Sequence, residues 1–553
     1  MGIKQVLEFL KTVQKNFKEG TKMKKILLFV VISVFSVFSF ASTLSMIMDV
    51  TGPFSRNFNP YFSGGTNYSA RGFIYETLFY INGYTGEVVP WLATDYEWSD
   101  DYLELEVTLR ENVKWSDGEN FNADDVVFTF DMIKTYPALD TGGVWKKGLK
   151  EVTKVDNQHV KFVLSQVDTL IYTDIFSVYI VPEHIWVNLG DPATYTAENP
   201  IGTGAYLLGQ FTSQVYTLEK NPNYWQKEKV KVSTIRIPAF TGNDAAQLAL
   251  MNKEIDWGTL FFPNIENIFI KADPENRGYW LPEGNPVLLF FNLDDERFKD
   301  ENFRKAIALG IDNEQVVQIG MSNLASISNP VLIKGGFSEL INGNLKHMWY
   351  DKDVEQAKEM LNDLGYSIGK DGIFTDGKGN KLSFELIVPA GWTDWIAVSQ
   401  VLSSQLKQIG IDVVVSQVDF GLYLERIRNK DFELALSWVN YGVNPYFFYE
   451  RWLHSRNAYS GDNRGGWISL TTDSLLEVFR KTSDEKERQL AISSLQLIVL
   501  QEIPSIPLFY NPTWFEYTTY NFVGWPNEEN PYALPTITGM DKAYIIMNLE
   551  PVE

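Results

Sequence analysis

The stretch 384–439 switches repeatedly between two hydrophobic periods. FELIVP (384–389), IDVVVSQV (411–418) and FELALSW (432–438) read as strands. The segments between them, Trp392 to Gln408 and Leu422 to Asn429, read as helices, the first stopped by Gly410. Strands joined by helices are expected to run parallel in one sheet, which makes this an α/β chain. Parallel strands carry their functional groups at their C-terminal ends and in the loops that follow. Here those loops are Ala390-Gly-Trp-Thr-Asp-Trp395, Asp419-Phe-Gly421 and Trp438-Val-Asn-Tyr-Gly442.

The rest of the chain alternates in the same way. Residues 101–109 and 159–164 read as strands, with turn chemistry at Trp115-Ser-Asp-Gly118. Asn122 is placed to cap a helix, with Asp125 at the third helical position. Residues 232–238, 244–251 and 254–257 read as strand, helix and strand start, one βαβ unit. Residues 353–364 are helical and end at Gly365. A length of 553 residues allows about 3–4 domains.

The first 41 residues are a leader. Met23-Lys-Lys precedes an apolar run from Ile26 to Phe40 and the small-x-small ending Ser39-Phe40-Ala41. This reads as a secretory signal peptide, residues 23–41, cleaved after Ala41. The run is shorter than the ~20 residues that span a bilayer. Met23 reads as the initiator. The sequence holds no cysteine, so no N-terminal lipid-bearing Cys holds the exported chain, and a periplasmic location is expected.

Composition removes several function classes. Without cysteine there is no disulfide framework, thiolate metal site or Cys nucleophile. Four scattered histidines argue against a metal centre. A net charge of −22 argues against nucleic acid as a partner. No nucleophile elbow, phosphate loop or zinc-protease motif is present. Gly202-Thr-Gly204 lacks phosphate-binding context and reads as a tight turn, so no cofactor is expected. Acidic pairs such as Asp124-Asp125 and Glu528-Glu529 read as solvated faces and helix caps, although two carboxylates across a cleft could serve a secreted glycosidase.

The tryptophans are more informative. Trp91, Trp98, Trp115, Trp186 and Trp225 are expected in the core. Trp392 and Trp395 lie just past a strand end, with Thr393 and Asp394 between them, and Trp438 ends a strand shortly before Asn440. Each of these three can be core or cleft wall. As a cleft wall, an indole face stacks on the C–H face of a sugar ring while Asp394 and Asn440 take its hydroxyls.

Eight stretches, in order, carry a resemblance. They include Tyr75-Glu-Thr-Leu-Phe79, the block 109–130 (LRENVKWSDGENFNADDVVFTF), VPEHIW (181–186), Lys220-Asn-Pro-Asn-Tyr-Trp225 and Glu502-Ile-Pro-Ser-Ile-Pro-Leu508. Through them the chain resembles the extracellular solute-binding proteins of family 5, receptors of ABC importers. The resemblance implies an α/β, two-lobed periplasmic-binding-protein fold, a flytrap with an extra domain on the first lobe. It implies a first lobe of 42–75, 190–286 and 508–553, an extra domain of 76–189 and a second lobe of 287–507. The crossings fall near Val287–Asn292 and Pro507–Tyr510. Peptide receptors of this family carry an Asp in the stretch that corresponds to 437–445, where this chain has none. Leaving a ligand ammonium there without a counter-charge would be costly.

Glu254-Ile-Asp-Trp257, Pro389-Ala-Gly-Trp-Thr-Asp-Trp395 and Trp514-Phe-Glu-Tyr517 are similar to segments of the cello- and β-gluco-oligosaccharide receptors of the family. The expected ligand is therefore an uncharged, β-linked oligosaccharide. Trp392, Trp395 and Trp438 would stack on it from one lobe, and Trp257 and Trp514 from the other lobe or the hinge. The implied partners are an ABC permease with its ATPase subunits, and the receptor is expected to be a monomer and no enzyme. An oligopeptide receptor, with Asp419 or Asp462 replacing the missing acid, is the alternative.

Overall fold

The structure, a computed structural model, describes residues 42–48, 50–62, 67–458 and 461–552. The signal peptide and its cleavage site lie outside the described residues.

The expected parallel unit is present at one side of a six-stranded sheet. Its strand order is Ser326–Ile327, Ser505–Pro512, Glu283–Phe291, Leu434–Trp438, Ser383–Pro389 and Asp412–Val418. The last three are parallel, with Leu386 level with both Val415 and Leu434. Helices Thr393–Gln408 and Phe420–Arg428 make the crossovers. Gly410, at φ +82°, takes the left-handed conformation that ends the first helix.

The two-residue period of the strands separates two cores. Leu386 and Val388 point to one face, with Leu402 and Leu406. Ile387 points to the other, with Tyr423 and Trp452. Val287 and Leu289 against Leu288 and Phe290 repeat the division on a neighbouring strand. A sheet buried on both faces is the interior of the second lobe. The chain enters and leaves it along two adjacent antiparallel strands, Glu283–Phe291 and Ser505–Pro512, which pair Val287 with Phe509.

The first lobe holds a four-stranded sheet of Thr43–Ser45, Thr234–Pro238, Val215–Lys220 and Tyr206–Phe211. Beside it stands a three-stranded sheet of Trp257–Gly258, Glu516–Thr518 and Arg277–Tyr279. Strand Thr234–Pro238, helix Asn243–Met251 and strand Trp257–Gly258 form in the expected order, the two strands parallel with the N-terminal segment between them, and Trp257–Gly258 pairs antiparallel on its other side with Glu516 and Tyr517. The N-terminal segment stands between the two halves: Thr43–Ser45 lies on Thr234–Arg236, and Met46 makes a single parallel bridge to Trp257.

The extra domain is an antiparallel sheet of Ala93–Trp98, Glu104–Leu109, His159–Leu164 and Leu149–Lys154, covered by helix Ala123–Thr135. That helix starts with the expected capping box. Asn122 Oδ1 accepts from the Asp124 amide at 2.7 Å, and Asp125 Oδ2 accepts from the Asn122 amide at 3.0 Å. One continuous core joins this domain to the first lobe; Trp91, Trp115 and Trp186 are buried in it, and Trp98 and Trp225 pack against it. Gly202 and Gly204 belong to a close backbone crossing: a Cβ on either would lie 1.9 Å from the Ile74 carbonyl oxygen or 2.3 Å from that of Phe73. Among the described residues no helix is long and apolar enough to cross a membrane.

Candidate functional site: an aromatic cavity at the strand ends

A cavity of about 1510 Å³ opens at the C-terminal ends of the parallel strands. It exceeds the ~300–1,000 Å³ of sites for drug-sized ligands. The C-terminal end of Leu434–Trp438, the loops after it and after Ser383–Pro389, and the first turn of helix Thr393–Gln408 supply Trp438, Asn440, Trp392 and Trp395 to its wall. The crossing strands and the turn after them supply Glu283, Asn285, Asn511 and Trp514. Tyr84 and Trp280 stand on the first-lobe side, edge to face with centroids 5.3 Å apart.

The second-lobe tryptophans form one cluster. Trp392 meets Trp395 at 5.0 Å and 79°, and Trp438 at 6.2 Å and 34°. Phe420 stacks behind Trp392 at 5.3 Å. Trp395 is buried, with its indole N–H 3.5 Å from Asn511 Oδ1. Trp392 and Trp438 keep partly exposed faces. Arg464 lies 4.6 Å from the Trp438 ring centroid and donates to the Trp438 carbonyl, which fixes that ring. Trp514 is partly exposed and packs edge to face on buried Phe261 at 5.6 Å.

Asn440 is held on both sides. Its Nδ2 donates to Asp462 Oδ2 at 2.8 Å, and its Oδ1 accepts from Asn285 Nδ2 at 3.3 Å. Asp462 also accepts from the Asn440 amide and pairs with Arg464 at 3.2 Å. It is therefore engaged within the wall and 8% exposed. Asp419 caps helix Phe420–Arg428, accepting from the Gly421 amide at 3.0 Å.

Two of the residues singled out from sequence do not reach the cavity. Trp257 is fully buried, edge to face with Phe515 at 5.3 Å and Trp525 at 5.7 Å, because its two-residue strand turns the indole into the first-lobe core. Asp394 is buried at the start of helix Thr393–Gln408. Burial pushes its carboxyl up to about 6, against backbone hydrogen bonds from Trp395 and its own amide. Trp392, Trp395, Trp438, Asn440 and Trp514 do line one cavity.

Sequence reasoning did not single out Trp280, Tyr84 or Lys334, which share this cavity with Tyr441 of the loop 438–442. Their local sequences carry no motif; only the crossing of distant segments brings them together. Among the described residues no cluster of three or more His, Asp or Glu could hold a metal ion.

Known proteins agree with this architecture. The family model for bacterial extracellular solute-binding proteins, family 5 (middle), matches residues 87–460. The peptide transport periplasmic protein SapA of Salmonella typhimurium is 24% identical over 471 residues, covering 79% of this chain and 81% of the relative. The oligopeptide-binding protein OppA of Bacillus subtilis is 25% identical over 485 residues, covering 80% and 83%. The periplasmic oligopeptide-binding protein of Thermotoga maritima, in its mannohexaose-bound crystal structure, superposes with a TM-score of 0.87 at 27% identity, over 93% of this chain and 99% of that one. With the two lobes, the crossing strands and the cavity between them, these matches assign the chain to the bacterial extracellular solute-binding proteins of family 5.

Proposed function

We propose that this solute-binding receptor of an ABC importer takes an uncharged, β-linked oligosaccharide of two or more rings into its cavity and delivers it to the permease in the periplasm. The observation that carries this reading is the aromatic wall of Trp392, Trp395 and Trp438, with Trp514 on the same cavity. Flat apolar faces bordered by amides suit sugar rings. The stretch 437–445 has no acid, and Asp462 and Asp419, the replacements considered from sequence, are bound up in Arg464, Asn440 and a helix cap. The mannohexaose in the Thermotoga maritima relative supports the same class.

Ligand contacts from both lobes would favour the closed arrangement through their differential affinity for it. On this reading the first lobe comprises 42–75, 190–286 and 508–553, the extra domain 76–189 and the second lobe 287–507.

A peptide ligand is the second reading. It is favoured by the peptide transport names of SapA and OppA and by exposed Glu266 and Glu528 on the cavity, either of which could meet an α-ammonium. Calorimetry of protein 42–553 against manno-, cello-, laminari- and xylo-oligosaccharides and against di- to pentapeptides separates the two. Binding of one sugar series is the expected outcome. Binding of peptides alone would transfer the assignment to peptides.

A further inference from the structure

Among the described residues, two cations line the cavity. Arg451 is exposed, whereas Lys334 is set into the wall. It follows Val331-Leu332-Ile333, three core residues that anchor its backbone. The Lys334 amide donates to Tyr441 Oη at 3.1 Å. Its ammonium donates to the Glu283 carbonyl at 3.0 Å and lies 4.4 Å from the Tyr441 ring centroid and 5.9 Å from that of Tyr510. Phe337 stacks on Tyr441 at 6.5 Å.

An ammonium has three N–H donors and no acceptor. Here one hydrogen bond is made, two phenol faces stand beside it, and none of the ion pairs among the described residues includes Lys334. Lys334 is partly exposed where it lines the cavity, so the oxygens of a ligand can take up the ammonium donors that the wall itself leaves unused. An anionic ligand would also face Glu283, Glu266 and Glu528 around the same space. Hydroxyl and ring oxygens of a neutral sugar supply acceptors without that repulsion.

We infer that Lys334 is a specificity-determining residue of the site, donating hydrogen bonds from its ammonium to sugar oxygens; this rests on the oligosaccharide reading. Its surroundings make the contact measurable. Burial lowers the Lys334 pKa to about 8, with Glu283 pulling it back up. The other titratable groups packed against it are Tyr441 and Tyr510, both pushed well above their ordinary range, first by burial. Lys334 is thus the group in this corner that changes charge near pH 8. A ligand that accepts from the ammonium favours the protonated form, so binding takes up protons near pH 8 and weakens as pH rises further. A ligand that only dehydrates the ammonium expels protons instead.

The test is calorimetry with mannohexaose, and with the best sugar of the panel above, at about pH 8. Two buffers of different ionisation enthalpy read proton uptake for wild type, Lys334→Met and Lys334→Gln. Proton uptake by wild type, its absence in Lys334→Met, and affinity lower by about tenfold or more in Lys334→Met are expected. Proton release that wild type shows and Lys334→Met lacks would overturn the inference, and so would wild-type affinity in Lys334→Met. If wild type bound no oligosaccharide, the functional reading would fall and this inference with it. Sugar binding by wild type with no Lys334 dependence would remove this inference alone.

Discussion

Asp168 of the extra domain and Arg480 of the second lobe form an ion pair with only 3% of either side chain exposed. Arg480 Nε donates to Asp168 Oδ2 at 2.7 Å, and its Nη2 reaches Asp174 at 3.3 Å. Asp174 in turn holds Lys147 at 2.9 Å. The next two residues extend the contact: the Thr169 amide donates to the Arg480 carbonyl, and Leu170 enters a second-lobe core. The segment 168–170 is therefore a peg from the extra domain into the second lobe. Removing one partner strands a buried charge, at about 3–5 kcal/mol. Arg480→Met and Asp168→Asn should each lower the urea midpoint strongly, and the double variant should cost far less than their sum. Additive costs in the double-mutant cycle would mean that the pair does not act as a unit.

Trp438 and Trp257 are both read from sequence as stacking aromatics, but their surroundings differ. Trp438 keeps a partly exposed face on the cavity, whereas Trp257 is fully buried between Phe515 and Trp525. Trp438→Ala is expected to weaken ligand binding by about 30-fold while leaving most of the stability. Trp257→Ala is expected to cost about 3–5 kcal/mol of stability. Its folded fraction should bind ligand with near wild-type affinity. Calorimetry and denaturation on both variants read the two effects separately, and a reversal of the two phenotypes would exchange their roles.

The contrast between these two tryptophans shows what was legible beforehand. The parallel unit 384–439 could be read because period, length and the stop at Gly410 agree, and such a unit fixes which loops face a cleft. The Asn122–Asp125 capping box was equally readable, being local chemistry over four residues. Trp257 was not, because its short strand takes its orientation from Glu516 and Tyr517, some 260 residues away in sequence. Asp394 departs from expectation for a related reason: spacing puts it among cavity residues, but it is buried in the first turn of its helix. Lys334 gave no signal because its environment comes from Glu283, Tyr441 and Tyr510, on three separate segments.

Glu516 predicts a pH dependence of stability. It is fully buried on the first-lobe sheet, where one carboxyl oxygen accepts from the Leu260 amide at 3.3 Å. Burial pushes its pKa up to about 8, against that hydrogen bond and one from its own amide. The folded state therefore holds this proton where the unfolded chain has already lost it. Between about 4.5 and 8, stability falls as pH rises, by an amount on the order of 4 kcal/mol from this group. Glu516→Gln keeps an acceptor for Leu260 and cannot ionise. Its stability relative to wild type should grow from pH 5 to pH 8, read by chemical denaturation. A constant difference across that range would show that Glu516 ionises at its ordinary pKa.

The two lobes touch beside the cavity at a pair of glycines. Gly391, at φ +82°, sits so close to the opposite loop that a Cβ on it would lie 3.1 Å from the Thr241 carbonyl oxygen. Gly242 faces it in return, and the Asn243 side-chain amide donates to Thr393 Oγ1 at 3.2 Å. Gly391→Ala both strains the left-handed turn, by about 1–2 kcal/mol, and pushes against Thr241 where the lobes meet. Only the second effect acts on the contact between the lobes. Thr393→Val removes the side-chain bond and leaves the turn unstrained. Both variants should bind ligand about fivefold more weakly, as expected for a lost contact of roughly 1 kcal/mol. In small-angle scattering, both should show a larger radius of gyration at subsaturating ligand than wild type. If Thr393→Val matched wild type in affinity and scattering while Gly391→Ala lost only stability, the glycine pair would serve the turn and not the meeting of the lobes.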